Sequence, residues 1–486
     1  MANPPAVKAF KVINVRYTDL KLVLKFGGTS IVSAPNIRNV ANMIKSLSKE
    51  HKIIPVFSAI SGVTDDLIRI TNYIRDRNGE AANSLAKKIV KTHMEISNQC
   101  IKNPKVRKEL VGKMRSDLGE FEELLHGMLL IGEVTPRSSD YLISFGERLS
   151  INLVAFALND IGIRAVPLTG KDIGIVTDAN FGEAKPLMDT TRLHVSHKIE
   201  ALAQKKTMPV IGGFAGADQH GNITTFGRGG SDYTATIIAS SIKADEVWLM
   251  SDVDGLMTTD PKIVKNAKLI KEVSYVEAME MALFGAKQIH PRALEPLVAK
   301  KIPLRIRNTF NLKNPGTIVT ADPSPDTQKT VKCVSVIRHT GLIDVRGGSM
   351  VGAPGTAATI FSTLAKAGVN VMMISQSPSE SSISIIVKKN DMDKAVNALE
   401  MNLLGKIIKK VDVTVDVSII ALIGSGMRGI VGIASKVFAA VGKRGINVIM
   451  IAQGSSELNI AFVVKDSECN AAVQALHDEF ELAKGG

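Results

Sequence analysis

Lys21-Leu-Val-Leu-Lys-Phe-Gly-Gly-Thr-Ser30 decides the class of fold. A mostly apolar run with strand character ends in two adjacent glycines. Pro35 then opens a helical stretch to about residue 49, since proline suits a first helical turn. A second strand, 53–57, ends in a small polar turn, Ser58 to Thr64. Residues 65–160 read mostly as helix, with Leu, Ile and Met at helical spacing. Strands are expected again at 163–168, 208–214, 246–250 and 304–307, separated by helices. Alternation of this kind predicts an α/β domain with a mostly parallel sheet and helices on both faces.

The polar, proline-rich stretch Ala321-Asp-Pro-Ser-Pro-Asp-Thr-Gln328 reads as part of a linker, 321–332. Beyond it the chain repeats itself. Gly368-Val-Asn-Val-Met-Met-Ile-Ser-Gln376 recurs as Gly445-Ile-Asn-Val-Ile-Met-Ile-Ala-Gln453. The same offset relates Met350 to Met427, Gly352 to Gly429, Gly355 to Gly432, Phe361 to Phe438 and Glu380 to Glu457. Each copy reads strand, glycine turn, helix, strand, strand, helix, a small α+β unit with little core of its own. The expected organisation is an extension at 1–20, a main domain at 21–320, and two units at 333–410 and 411–486. The second copy has no clear last strand, which leaves open whether strands cross between copies.

Composition bounds the function. The 486 residues suit several domains, and 45% hydrophobic content supplies their cores. Net charge is +13, yet aromatics are 4% with one tryptophan, Trp248, a poor endowment for stacking nucleic-acid bases. Most of the positive excess precedes the repeats. Cys100, Cys333 and Cys469 are scattered and form no CxxC pair, against a disulfide framework or thiolate metal site. No stretch of about 18 uncharged apolar residues is present. Residues 1–19 lack an apolar signal core, and a cytoplasmic protein without nucleic-acid or membrane partners is expected.

Four motifs carry chemistry. In Lys25-Phe-Gly-Gly-Thr-Ser30, Gly27 and Gly28 would let backbone N–H groups approach an anion that Lys25 also reaches; a tight turn with a surface lysine is the plainer alternative. In Phe226-Gly-Arg-Gly-Gly-Ser-Asp-Tyr-Thr-Ala235, Arg228 sits among glycines, and Ser231-Asp232 mark a helix start, where free N–H groups and the dipole favour phosphate. Ser251-Asp-Val-Asp-Gly255, with Thr258-Thr-Asp-Pro261, follows the strand carrying Trp248, at the strand end where open α/β sheets bind ligands. Its DVDG lacks the remainder of a calcium loop. Phe284-Gly-Ala-Lys-Gln-Ile-His-Pro291 places Lys287 and His290 before another helix. Two further matches read as structural. Gly424-Ser-Gly-Met-Arg-Gly429 fits GxGxxG, but no acid follows about 20 residues on. His194 and His197 read as a surface helical face. No metal site is expected.

Together these stretches, with Ser61-Gly-Val-Thr-Asp-Asp-Leu67 and Ser144-Phe-Gly-Glu-Arg-Leu-Ser150, resemble the aspartokinases, and the tandem repeat resembles paired ACT domains. The resemblance implies the amino-acid kinase fold. It also implies transfer of phosphate from ATP, with Mg²⁺, to the side-chain carboxylate of aspartate, a first step toward lysine, threonine and methionine. Lys25 resembles the lysine that meets the transferring phosphate, and Asp232 the acid that orders it. Thr64, Glu147, Phe214 and Ser231 resemble residues lining the aspartate pocket, and Arg228 the arginine gripping a substrate carboxylate. Gly27, Gly28, Ser251, Asp252, Met257, Lys262 and Lys287 match the nucleotide side. Family members often have Thr, Tyr and Arg at the positions of Ser251, Met257 and Lys262.

Paired ACT units imply an amino-acid effector and a homo-oligomer formed through them. Asn370, Gln376, Asn447 and Gln453 occupy equivalent places in the two copies and are candidate effector contacts. Threonine is favoured over lysine because no acid stands beside either Asn-Val pair. Three other readings compete: a kinase for another acidic amino acid, an amino-acid sensor with an inactive body, and a homoserine dehydrogenase fusion. The last is supported only by the GxGxxG match.

Overall fold

The structure, a computed structural model, describes residues 19–286, 288–324 and 329–484. The main domain contains strands β1 (Lys21–Phe26), β2 (Lys52–Phe57), β3 (Ala165–Leu168), β4 (Met208–Gly212), β5 (Ala215–Ala217), β6 (Ile223–Thr225), β7 (Glu246–Ser251), β8 (Glu272–Ser274), β9 (Leu304–Asn308) and β10 (Thr317–Thr320). Among the described residues these form an eight-stranded sheet, ordered β3-β4-β2-β1-β7-β9-β10-β8, and a small β5-β6 hairpin. Pairing is parallel except between β9 and β10. The expected mostly parallel sheet is therefore found.

Period-two alternation explains why β1 sits in the middle. Leu22, Leu24 and Phe26 enter one core, while Val23 enters the other. The first core is covered by α1 (Ala34–Leu47), α2 (Val63–Arg75), α3 (Gly79–Cys100), α4 (Pro104–Ile131) and α5 (Pro136–Asp160). The opposite face takes α6 (Gly170–Ile173), α7 (Met188–Gln204), α8 (Gly230–Ile242), α9 (Tyr275–Leu283) and α10 (Glu295–Val298). Helix α5 is long and apolar enough to cross a membrane by length and composition, but 78% of its apolar window is buried in the body. It starts at Thr135, whose side chain accepts from the Ser138 N–H, with Pro136 in the first turn.

The repeats share one antiparallel sheet. Its strands are β11 (Cys333–Arg346), β12 (Val371–Gln376), β13 (Ser382–Lys388), β14 (Lys410–Ile423), β15 (Met450–Ala452) and β16 (Asn459–Lys465), ordered β12-β13-β11-β14-β16-β15. Helices α11 (Thr356–Lys366), α12 (Met392–Leu403), α13 (Ile433–Gly442) and α14 (Cys469–Glu479) complete the two units. The strands do cross between copies. Residues 340–346 of β11 pair with β13, whereas residues 333–337 pair with β14 residues 419–423, next to β16. His339 and Asp416, related by the repeat offset, both take positive φ, 57° and 54°, where the long strands change unit. The symmetry extends to the turns: Glu380 accepts the Gly352 N–H at 2.8 Å, and Glu457 accepts the Gly429 N–H at 2.6 Å.

The second unit is joined to the main domain. Buried Glu277 of α9 caps its own helix through Ser274, and its other carboxylate oxygen accepts the N–H (2.9 Å) and hydroxyl (2.7 Å) of Ser425. Thr258 lies within the same seam: its carbonyl accepts the Val334 N–H at 2.8 Å, and its hydroxyl meets His477 Nε2 at 3.0 Å. The Gly424–Gly429 stretch thus serves as an interdomain turn. A Cβ on Gly424 or Gly426 would lie 2.4 Å from Thr330 O or 2.7 Å from Lys329 O.

Candidate active site

Parallel registry aligns the C-terminal ends of β1, β2 and β7, because Lys25 pairs with both Val56 and Leu249. Three turns meet there. Gly28 packs so closely on the β2–α2 turn that a Cβ would fall 2.5 Å from Ala59 O and 2.7 Å from Ser61 N. Gly213, after β4, touches the start of α8, where a Cβ would fall 2.7 Å from Ser231 Cα. Gly229 takes φ +74° against His290, whose Cβ would be 2.4 Å from an added Cβ. Side chains larger than hydrogen would force these segments apart.

Lys25 Nζ lies 2.6 Å from Asp232 Oδ1, both side chains 15% exposed. Asp232 occupies the first turn of α8, so the pair stands where helix N–H groups and the dipole favour an anion. Neighbouring Ser231 donates to Glu147 Oε1 at 3.5 Å, a long contact. Glu147, 4% exposed, comes from the middle of α5, which passes tightly beneath the β2–α2 turn: a Cβ on Gly146 would be 2.8 Å from Ala59 Cβ. Burial pushes the Glu147 carboxyl up to about 7, opposed by a backbone hydrogen bond from Ala59 and the charge of Lys25. Its Oε2 is buried with no hydrogen-bond partner among the described residues.

The structure brings Gly27, Gly28, Lys25, Glu147, Ser231 and Asp232 to one end of the sheet. Phe214 joins them with φ +70°, its N–H donating to Thr234 Oγ1 at 3.0 Å. Thr64 is half-buried in the first turn of α2. Arg228 is exposed on its loop, with no hydrogen bond or ion pair among the described residues. Ser251 ends β7, its hydroxyl accepting the Val253 N–H at 3.4 Å, and Asp252 is exposed. Met257 bridges to Leu269. Lys262 is exposed, its N–H held by Asp260 at 2.8 Å. No hydrogen bond or ion pair among the described residues joins Met257 or Lys262 to Lys25, Asp232 or Glu147. Lys287 lies outside the described residues. His194 and His197 are exposed on α7, and no metal-binding cluster of His, Cys, Asp or Glu occurs among the described residues.

Several supports carried no local sequence signal because their partners are remote. Buried Asp140 accepts from Gly182 N–H (2.9 Å), Thr225 N–H (2.7 Å) and the Thr225 hydroxyl (2.9 Å), fixing the hairpin behind the site. Arg292 bonds the carbonyls of Phe226 and Ala184 at 3.1 Å and lies over the Tyr233 ring. Asn308 on β9 donates to Asp254 at 2.8 Å, fixing the loop after β7.

In the first repeat, a cavity of about 310 Å³ is lined by Met350, Gly352, Gly355, Gln376 and Glu380 among others. Of the four amides expected at effector sites, Gln376 lines this cavity. Asn370, Asn447 and Gln453 are exposed and do not line it. Glu380, four residues after Gln376 in the β12–β13 turn, adds an acid to the wall of this cavity, although none stands beside either Asn-Val pair.

Glycine turns, a lysine–acid pair and a helix N-terminus at the end of a parallel sheet define an enzyme class that handles phosphate. The model of the amino acid kinase family matches residues 21–308, and that of the ACT domain matches 343–403 and 420–480. Aspartokinase 1, chloroplastic, of Arabidopsis thaliana is 33% identical over 488 residues, covering 97% of this chain and 82% of the relative. Bifunctional aspartokinase/homoserine dehydrogenase 2, chloroplastic, of Zea mays is 33% identical over 478 residues, covering 96% of this chain and 51% of the relative. The chain thus spans about half the length of its bifunctional relatives. Aspartokinase III of E. coli in complex with aspartate and ADP superposes with a TM-score of 0.77 at 26% identity, covering 94% of this chain and 99% of that one. Its complex with lysine and aspartate gives 0.79 at 27%, covering 95% and 99%. The chain belongs to the aspartokinases, amino acid kinases with two ACT domains.

Proposed function

We propose that the protein transfers the γ-phosphoryl group of ATP to the side-chain carboxylate of L-aspartate, giving an acyl phosphate and ADP. The observation that carries this reading is the Lys25–Asp232 pair at the start of α8, with Glu147 beyond Ser231. An aspartate side chain titrates near about 3.9, so the acceptor is already ionised at neutral pH and needs no general base. The obstacle is an anion approaching a polyanion. Cations and backbone donors must stabilise charge on the transferring group as the carboxylate–phosphorus bond forms and the bond to ADP breaks. Lys25, held by Asp232, faces that group; Arg228 holds a carboxylate of the acceptor; Glu147 meets its ammonium. Thr64, Phe214 and Ser231 line the acceptor pocket. Gly27, Gly28, Ser251, Asp252, Met257, Lys262 and Lys287 form the nucleotide side.

The chain has no three-donor metal cage among its described residues. Mg²⁺ keeps several waters and is bound by substrate phosphates with one or two carboxylates, and exposed Asp252, next after β7, is an acid that suits such a site. Bound there, Mg²⁺ would neutralise phosphate charge.

The reading extends to feedback by lysine, threonine or both, in the cavity lined by Gln376 and Glu380. It is supported by the lysine complex of the E. coli relative. A homo-oligomer through the ACT units is supported by their two sheet edges, β12 and β15, where Ile374 and Ile451 are 45% and 47% exposed. The reading includes a cytoplasmic location, in keeping with three free, buried cysteines.

Coupled ATP turnover with aspartate, glutamate or no acceptor, each with and without lysine and threonine, tests the reading. Aspartate-dependent turnover lowered by either amino acid is expected. Turnover with glutamate alone would assign another acidic substrate, and no turnover with any acceptor would leave a sensor.

A further inference from the structure

Arg228 is exposed and unpaired on a loop whose other members are held in place. Gly227 and Gly229, on either side of it, take φ +71° and +74°, a conformation that suits glycine and bends the chain tightly around the arginine. The Phe226 N–H donates to the Phe214 carbonyl at 2.9 Å, and the Gly230 N–H to the Gly227 carbonyl at 3.0 Å. A Cβ on Gly230 would fall 2.9 Å from Phe214 Cδ2.

One short segment, His290-Pro291-Arg292, grips this loop from the other side. Proline disfavours the helical region for the residue before it, and His290 is extended, with φ −99° and ψ 135°. Arg292 donates to the Phe226 carbonyl at 3.1 Å, at the start of the loop, and its guanidinium lies 5.0 Å from the centre of the Tyr233 ring, just past its end. His290 takes the middle. A Cβ on Gly229 would lie 2.4 Å from His290 Cβ, 2.5 Å from Cγ and 3.0 Å from Cδ2. The carbon edge of the imidazole therefore meets the Gly229 backbone. Nδ1 belongs to the opposite edge and is buried with no partner among the described residues. Burial and the charge of Arg292 hold the imidazole below its ordinary range, against Asp232 and Glu295, so the ring is uncharged at neutral pH. A ring that presents carbon, carries no charge and leaves its buried nitrogen unpaired acts here through its shape.

We propose that His290 is a positioning residue for the acceptor site: its ring clamps Gly229 and so fixes the direction in which Arg228 leaves the loop. Without the ring, the acceptor itself must order the loop, and that cost falls on aspartate binding. The clamp follows Lys287 by three residues, so the arginine of the acceptor side is set from the segment that carries a lysine of the nucleotide side. The inference rests on the aspartate kinase reading, and deepens it by naming the residue that positions Arg228.

Three variants separate shape from chemistry. His290→Ala and His290→Asn remove the ring, whereas His290→Phe keeps a ring and removes the unpaired nitrogen. In coupled turnover, Ala and Asn are expected to raise KM for aspartate by roughly tenfold, with kcat and KM for ATP within about threefold. Phe should stay within about twofold of the native KM and unfold at the same temperature or higher. In an Arg228→Ala background, loss of the ring should change KM by less than about twofold, because the group it positions is gone. Trypsin gives a readout that needs no turnover. Cleavage after Arg228, followed by mass spectrometry, should run roughly tenfold faster in the Ala and Asn variants and at the native rate in Phe. Should the Ala variant fail to fold, Asn and Phe carry the comparison. If Phe raises KM as much as loss of the ring, if loss of the ring keeps its full effect without Arg228, or if cleavage is unchanged, the clamp is overturned while the kinase reading stands. If the native protein lacks aspartate-dependent turnover, the kinase reading falls, and the role of His290 in acceptor binding with it.

Discussion

Lys25 Nζ and Asp232 Oδ1 lie 2.6 Å apart, the lysine from the central strand and the acid from the first turn of α8. In the proposed reading, the pair holds Lys25 in place for phosphate. A free lysine side chain samples many rotamers, and holding it costs up to about 2 kcal/mol of side-chain entropy on binding. The ion pair does that ordering in advance. Lys25→Ala is expected to lower turnover by roughly 10²–10³-fold, the effect of losing one preorganised donor, with the unfolding midpoint little changed. Near-normal turnover in steady-state assays would remove Lys25 from the chemistry.

Arg228 is exposed and unpaired among the described residues, and in the proposed reading it holds a carboxylate of the acceptor. A guanidinium can make two parallel hydrogen bonds to a carboxylate, whereas an ammonium acts as a point charge. Arg228→Lys should therefore raise KM for aspartate nearly as much as Arg228→Ala. Recovery of wild-type KM by lysine would reduce the residue to a charge.

Glu147 supplies a pH signature. Its carboxyl is pushed up to about 7 from 4.5 by burial. The folded protein then holds a proton that the unfolded chain releases. Its contribution to stability is greatest below about 4.5 and falls as pH rises through 7, by roughly 3 kcal/mol at most. Ligand-free protein should lose unfolding temperature from pH 5.5 to 8, and Glu147→Gln should flatten that slope. An identical slope in the variant would contradict the assignment.

Glu277 joins α9 to the second repeat. Burial raises its carboxyl, but bonds from Ser274 and from the Ser425 N–H and hydroxyl outweigh this and leave it below its ordinary value. Glu277→Ala removes a helix cap and leaves Ser425 unsatisfied. A loss of about 2–4 kcal/mol is expected in denaturant unfolding. A change under about 0.5 kcal/mol would show that the seam is held by apolar contact alone.

The parts legible in sequence were those governed by neighbours along the chain. Strand β1 showed itself by its apolar run, and the helices within 65–160 by their helical spacing. The repeat was visible because duplicated folds keep their turn residues: Gly352 and Gly429 take φ 64° and 70°, and Gly355 and Gly432 take 89° and 88°. The short strands β8 and β10 went unread, because three or four residues carry too little periodicity; β10 gains its pairing only beside β9, and β8 only beside β10. The acid beside Gln376 was unread for a similar reason. No acid adjoins either Asn-Val pair along the chain, and only the turn between β12 and β13 carries Glu380 to the cavity.

The sequence alone determined the α/β class, the duplication and the identities of the candidate site residues, since these follow from local periodicity and from motifs whose order is written along the chain. Only the tertiary structure decided how they act together. It set Lys25 against Asp232 across 207 positions, placed Glu147 beside Ser231, and drew the GxGxxG stretch into a seam with Glu277. It also ran β11 and β14 through both repeats. The physical reason is common to all four. Each is a pairing of groups distant in sequence, fixed by parallel register, close glycine contacts and burial, which exist only once the chain has packed.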